Sequence, residues 1–172
     1  MSRKEFVAWD IPEPFKESKE PPWKILPIKH NASVRGLVLS DAIVGVKTHW
    51  INNRTKPCIT QQRGCEACSH GVAWRWKGYL AVWLVASRTG WLLEVTQWAF
   101  DHNLQLSCTE GLRGLDFIAK RTKPANNAPV EIDLLPSLTP LEHVPPCPDV
   151  QEILSRIWFG RERNYRKEKK GE

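Results

Sequence analysis

Cys58, Cys65 and Cys68 fall within eleven residues of a chain that has five cysteines in all. Cys65-Glu-Ala-Cys68 has the two-residue spacing that lets both thiolates reach one tetrahedral ion, and Cys58 stands seven residues earlier as a third donor. Pro57 and Gly64 bend the chain around such an ion. Three sulfurs leave one corner for an imidazole. His49, at the end of a strand, can close the site across the loop, whereas His70 follows Cys68 by only two residues and has a cramped bite. We therefore expect Zn2+ held by His49, Cys58, Cys65 and Cys68, with His70 as the alternative fourth ligand. A site filled by four protein ligands is closed, so this zinc is structural rather than catalytic.

Other chemistries fit less well. A redox Cys-x-x-Cys opens a helix in a thioredoxin-like βαβ pattern, and no such pattern surrounds Cys65. A zinc deaminase needs His-x-Glu followed by Pro-Cys-x-x-Cys. Here Trp50-Ile51 follows His49, and Pro57-Cys58 has no cysteine three residues on. No Ser/His/Asp set, paired carboxylates or phosphate loop is recognisable. Asp41, Glu94, Asp116, Glu131 and Asp133 read as scattered surface charges, and no enzymatic activity is expected. Cys108 and Cys147 read as small buried or half-buried hydrophobes.

The elements that would position the cluster follow from patterning. Residues 1–32 form a proline-rich arm with Lys-Glu runs, tacked down by Trp9 and Trp23. Residues 34–46, rich in Val, Leu and Ile, read as one long bent strand. The stretch 49–71 is a loop too long for an idle connection, hence functional or metal-folded. Residues 78–87 make a strand apolar on both faces, followed by a turn at Arg88-Thr89-Gly90. Residues 91–104 read as a short strand running into a helix, and 112–121 and 130–134 as two more strands. A proline-rich linker at 136–148 leads to a stripe of Val150, Ile153, Leu154, Ile157 and Trp158, a helix ending at Gly160. These divisions give an arm (1–32), a zinc-containing domain (33–135), a linker (136–148) and an amphipathic helix with basic tail (149–172).

Length and composition suit one domain: 172 residues, 41% hydrophobic, formal charge +6, nine tryptophans. The longest apolar run, 79–86, falls far short of the roughly 20 residues of a membrane span, and no secretory signal follows the N-terminus. A soluble, cytoplasmic protein without a membrane partner is expected. The positive balance favours an anionic partner. Cations and aromatics interleave around the metal loop: Lys47, Trp50, Arg54, Lys56, Arg63, Trp74, Arg75, Trp76, Lys77 and Tyr79. Single strands are held by cations tracking phosphates and rings on which bases stack. On a strand, Trp74 and Trp76 share one side, with Arg75 and Lys77 on the other, so only one set can face a ligand, and Trp74 and Trp76 have a competing place in the core. Arg113, Lys120 and Arg121 add basic positions around Phe117, itself a core candidate, and Lys123 and Asn126-Asn127 follow.

A strand ending in a histidine, a Cys-x6-Cys-x2-Cys loop, and strands carrying Arg113-Gly114 and Asn127-Ala-Pro-Val130 come in that order. Over residues 34–135 this resembles the OB-fold single-stranded DNA-binding proteins of phages, particularly the T-even type, whose zinc has one His and three Cys ligands. The resemblance implies His49, Cys58, Cys65 and Cys68 as ligands, a basic aromatic cleft beside them, and a mainly β, OB-like small barrel with a zinc-stapled loop and a C-terminal helix. Such proteins end in an acidic tail, whereas the last twelve residues here carry six Lys/Arg against three Glu. The expected function is non-catalytic binding of single-stranded nucleic acid, DNA by the resemblance. Rival readings are a zinc-braced adaptor docking a protein partner through the 149–159 helix, and a metal-dependent nuclease.

Overall fold

The computed structural model describes residues 23–59, 64–104, 111–125 and 128–168, with side chains followed as far as residue 160. Trp9, Arg63, Cys108, Asn126-Asn127 and the end of the basic tail lie outside the described residues.

The organising element is one long strand. In chain order the strands are β1 (Ser33–Val38), β2 (Val44–Ile51), β3 (Arg54–Pro57), β4 (Trp74–Leu84), β5 (Thr89–Thr96), β6 (Asp116–Arg121) and β7 (Val130–Leu135). All pair antiparallel, in the order β3-β2-β4-β1-β6-β7, with β5 on the other edge of β4. The sheet curls into a half-barrel, as the mainly β expectation required. Helices are few: α1 (Glu66–Ser69), α2 (Gln97–Ala99) continuing into a π-helical turn (Phe100–Leu104), and α3 (Val150–Glu168).

The expected single strand over 34–46 is broken. Val38 pairs with Val82 and Val44 with Tyr79, so six steps of chain face three steps of β4. The three extra residues bulge out between β1 and β2, which otherwise follow the same edge of β4. Ser40 pins the bulge, its hydroxyl accepting the Ala81 N–H at 2.8 Å. The expected 49–71 loop is also shorter: β2 continues to Ile51, and Asn52 and Asn53, at φ 50° and 58°, turn it into a hairpin with β3. Two successive left-handed residues match the twist of a hairpin, and Asn tolerates them. At the other hairpin, 85–88 forms the turn and Thr89-Gly90 already belongs to β5. Strand β6 starts at Asp116, because 112–115 is spent on a turn around Gly114 (φ 83°).

Pleating sorts β4 onto two faces. Trp76, Leu80 and Val82 face a core closed by Val95, Phe100, Leu104, Phe117 and Ile132. Phe117 is fully buried there, in line with its reading as core. Tyr79 and Ala81 face the opposite core, covered by Val150, Ile153 and Leu154 of α3. Trp158 meets Tyr79 edge-on at 5.7 Å. The helix does not stop at Gly160 but runs to Glu168, since one interior glycine costs only about 1 kcal/mol. Its apolar stripe packs on the chain's own sheet.

The flanking segments are tied down. Residues 24–26 bond to β5 through Leu26 N–H to Leu92 O and Leu92 N–H to Lys24 O, at 2.8 and 2.9 Å. His30 bridges Arg121 on β6. In the 136–148 segment Val144 is buried, held by Arg113, whose guanidinium donates to Leu39 O, Val144 O and Pro145 O. Cys147 is exposed rather than the half-buried hydrophobe expected.

Candidate metal centre and adjoining cleft

The β2–β3 hairpin supplies two donors. Lys56 pairs with His49, and the Cys58 N–H extends the ladder to Lys47 O at 2.8 Å. Cys58 is thus cross-strand from Lys47 and diagonal to His49 on the same face. The single turn of α1 supplies the other two. Cys65 precedes it and Cys68 lies three residues on, which brings both onto one side. Ser69 N–H to Cys65 O and Gly71 N–H to Cys68 O, each 3.0 Å, close the turn. Gly71 leaves it at φ 69°, a conformation costly for any residue with a Cβ.

The donor atoms of His49, Cys58, Cys65 and Cys68 all lie within 4.8 Å of one another. Cys58 Sγ and Cys68 Sγ are 3.5 Å apart, and Cys68 Sγ is 3.4 Å from His49 Nε2. Around an ion with ligand bonds of about 2.0–2.3 Å, tetrahedral edges span about 3.3–3.8 Å. A disulfide would need about 2.05 Å. The geometry suits a shared cation and not a cross-link. His49 is 2% exposed, and its Nδ1 faces Ala73 O at 3.4 Å. The tautomer with the proton on Nδ1 donates to that carbonyl and leaves Nε2 bare toward the sulfurs, the arrangement a metal-ligating imidazole needs. His70 is exposed and its Nδ1 sits 2.7 Å from Glu66 O, outside the cluster. Of the two histidines left open by sequence, His49 joins the sulfurs.

Electrostatics divide the thiols. Burial pushes Cys58 up to about 12, helped by hydrogen bonds with Cys68 and Cys65. Burial also opposes a thiolate at Cys65, but hydrogen bonds from the backbone N–H groups of Cys68 and Ile59, together with those from the Cys68 and Cys58 thiols, outweigh it and hold Cys65 below the usual thiol value. Backbone N–H groups aimed at a sulfur are what a metal-bound thiolate requires.

His49 also borders a cleft of about 1060 Å³. Trp50 (61% exposed), Trp74 (48%) and Trp98 (40%) all line it, and they are the exposed tryptophans among the described residues. Arg75, Lys77 and Arg121 line it as well. Lys47 holds its ammonium 4.7 Å over the Trp74 ring. Arg54 and Lys56 are exposed on β3 beside it.

No protein-family profile, curated protein sequence or solved structure matches this chain.

Other basic and aromatic positions have different employment. Trp76, expected as a stacking residue, is 7% exposed and tilts against Phe100 at 5.2 Å. Its indole folds over Gly78, two residues along the same face, passing within 2.6 Å of where a Cβ would stand. Arg113, expected on the nucleic-acid surface, donates to three backbone carbonyls of its own chain. Lys120 pairs with Glu131 at 3.3 Å and does not line the cleft. Lys77 is paired too, at 2.7 Å from Glu94 and 3.3 Å from Thr55. Glu94, expected as a surface charge, is half-buried and also accepts from Tyr79 Oη at 3.2 Å. Burial and then the Glu94 charge push the Tyr79 hydroxyl well above its usual value, so it stays a donor.

Trp98 was not among the sequence candidates. Thr96 Oγ1 accepts the Ala99 N–H at 3.2 Å and caps α2, so Ala99 and Phe100 turn inward while Trp98 turns out and stacks on His102 at 4.6 Å. A capping threonine before Gln-Trp-Ala-Phe was the available signal.

Proposed function

We propose that this protein binds single-stranded nucleic acid without catalysing its conversion, in the cleft lined by Trp50, Trp74 and Trp98, and that zinc holds the cleft's His49 wall. The observation that carries the reading is that the exposed tryptophans among the described residues all border one cleft with Arg75 and Arg121, Trp74 from the His49 face of the sheet and Trp50 and Arg75 from the other. Bases stack on exposed indoles whatever their sequence. The cations beside them suit phosphates.

Three sulfurs and one imidazole form a soft, tetrahedral donor set, which favours zinc over magnesium or calcium. No carboxylate belongs to the cluster. Four protein ligands leave no open position for water or substrate, which speaks for bracing and against a metal-dependent nuclease. The ligand order and the curled sheet are in keeping with the resemblance to phage OB-fold single-stranded DNA-binding proteins. Among the described residues no helix is long and apolar enough to cross a membrane.

The test combines two measurements on one reduced sample: metal content, and a salt titration of labelled single- and double-stranded oligonucleotides. The expected result is one zinc per chain, preference for the single strand, and affinity that falls steeply with salt. Absence of stoichiometric zinc, or affinity indifferent to salt, overturns the reading.

A further inference from the structure

A second pocket, of about 700 Å³, opens at the far end of the β4–β5 hairpin. Trp23, Trp83 and Trp91 line it together with Lys24 and Arg88, and no aspartate or glutamate does. Gly90 pairs with Trp83, and the Trp23 ring comes within 2.4 Å of where a Cβ on Gly90 would stand. The missing side chain is what lets Trp23 settle beside Trp83 on one face of the hairpin end. The chain between the two cavities is short, since Lys24 lines this pocket and residues 25–28 line the cleft.

Arg88 is exposed and sits at φ 53° in the last position of the 85–88 turn. Glycine or asparagine occupies such a left-handed position without strain, whereas arginine is held there against its preference. Nothing in the turn's own bonding rewards the guanidinium, and strain of this kind gathers at functional positions.

Resting on the nucleic-acid reading above, we propose that this pocket is a second binding site for the same strand, with a base against the indoles and the phosphate beside it meeting Arg88 and Lys24. The two cavities adjoin along residues 24–25 and 91–93, while their far ends on β4, Arg75 and Trp83, are eight residues or about 26 Å apart at roughly 3.3 Å per residue. A stacked strand needs about eight nucleotides to cover that distance, and a three-nucleotide strand covers only one site. A long strand therefore holds both sites at once, whereas a short one settles in the larger cleft.

The test compares a labelled twelve-nucleotide oligothymidylate with a three-nucleotide one, by fluorescence anisotropy, on the full-length wild type, Arg88→Gly and Lys24→Ala. Each variant is expected to bind the long strand about tenfold more weakly or worse and the short strand within about twofold of wild type. Arg88→Gly should also melt no lower than wild type, because glycine removes the strained Cβ. Wild-type affinity of both variants for the long strand, or equal losses on both strands, overturns the second site while the first stands. Failure of wild type to bind either strand overturns both readings.

Discussion

His49 on β2 lies directly across the sheet from Trp74 on β4. One cross-strand pair therefore joins a donor of the candidate metal centre to an exposed ring of the cleft. Lys47, two residues earlier on β2, accepts the Cys58 N–H at its carbonyl and holds its ammonium over that same ring. A change at the candidate metal centre is thus felt by Trp74 through both backbone and side chain.

Removing a ligand should separate the two histidines. Cys65→Ser and His49→Ala are each expected to abolish zinc binding and lower stability by about 3 kcal/mol or more, since zinc binds only the folded site. His70→Ala should retain the metal, because its ring reaches only Glu66 O. Metal analysis and thermal unfolding of the three variants decide it; a metal-free His70→Ala with a loaded His49→Ala would reverse the assignment.

Acidity offers a second handle. Zinc must displace the proton that burial keeps on Cys58, so loading near pH 7 should release protons and apparent affinity should climb as pH rises. Without metal the sign is opposite for stability. The raised Cys58 value contributes stability that is complete below the ordinary thiol value and is lost as pH climbs toward about 12. Calorimetry in two buffers of different ionisation enthalpy measures the protons, and alkaline unfolding of zinc-free protein tests the second statement.

The tryptophans should fall into two classes. Trp50→Ala and Trp98→Ala are expected to weaken oligonucleotide binding by about 1–3 kcal/mol each and leave the melting temperature nearly unchanged. Trp76→Ala should cost about 3–5 kcal/mol of stability, since it empties the slot over Gly78. Anisotropy beside thermal unfolding makes the distinction.

Salt dependence sorts the arginines in the same way. Arg75→Ala is expected to weaken binding and reduce the slope of log affinity against log salt by roughly 0.7, the value for one phosphate on a single strand. Arg113→Ala should leave the slope alone and destabilise by about 2–4 kcal/mol, because three carbonyls lose their donor. An Arg113 variant with normal stability and a shallower slope would return that residue to the nucleic-acid surface.

What the sequence determined by itself was local chemistry and local period. Cys58, Cys65 and Cys68 announce a metal site through spacing alone, because a tetrahedral ion limits how far apart its thiolates can stand in the chain. The alternation along 74–77 placed Trp74 and Trp76 on one side and Arg75 and Lys77 on the other, because a strand has a period of two. Asn52-Asn53 reads only as part of one long loop, although both residues tolerate the left-handed conformation that makes the hairpin. The tertiary structure decided the rest. Trp74 and Trp76 share a face, yet Trp76 is buried over Gly78 and against Phe100, which arrives from the helix after β5, while Trp74 stays open. Arg113 looks like a surface cation until Val144 and Pro145, more than thirty residues away, bring their carbonyls to it. His49 and His70 were both within reach of the sulfurs along the chain, and only the register of β2 on β3 and β4 brought His49 to them. Spacing fixes which groups can meet; packing between distant segments fixes which of them do.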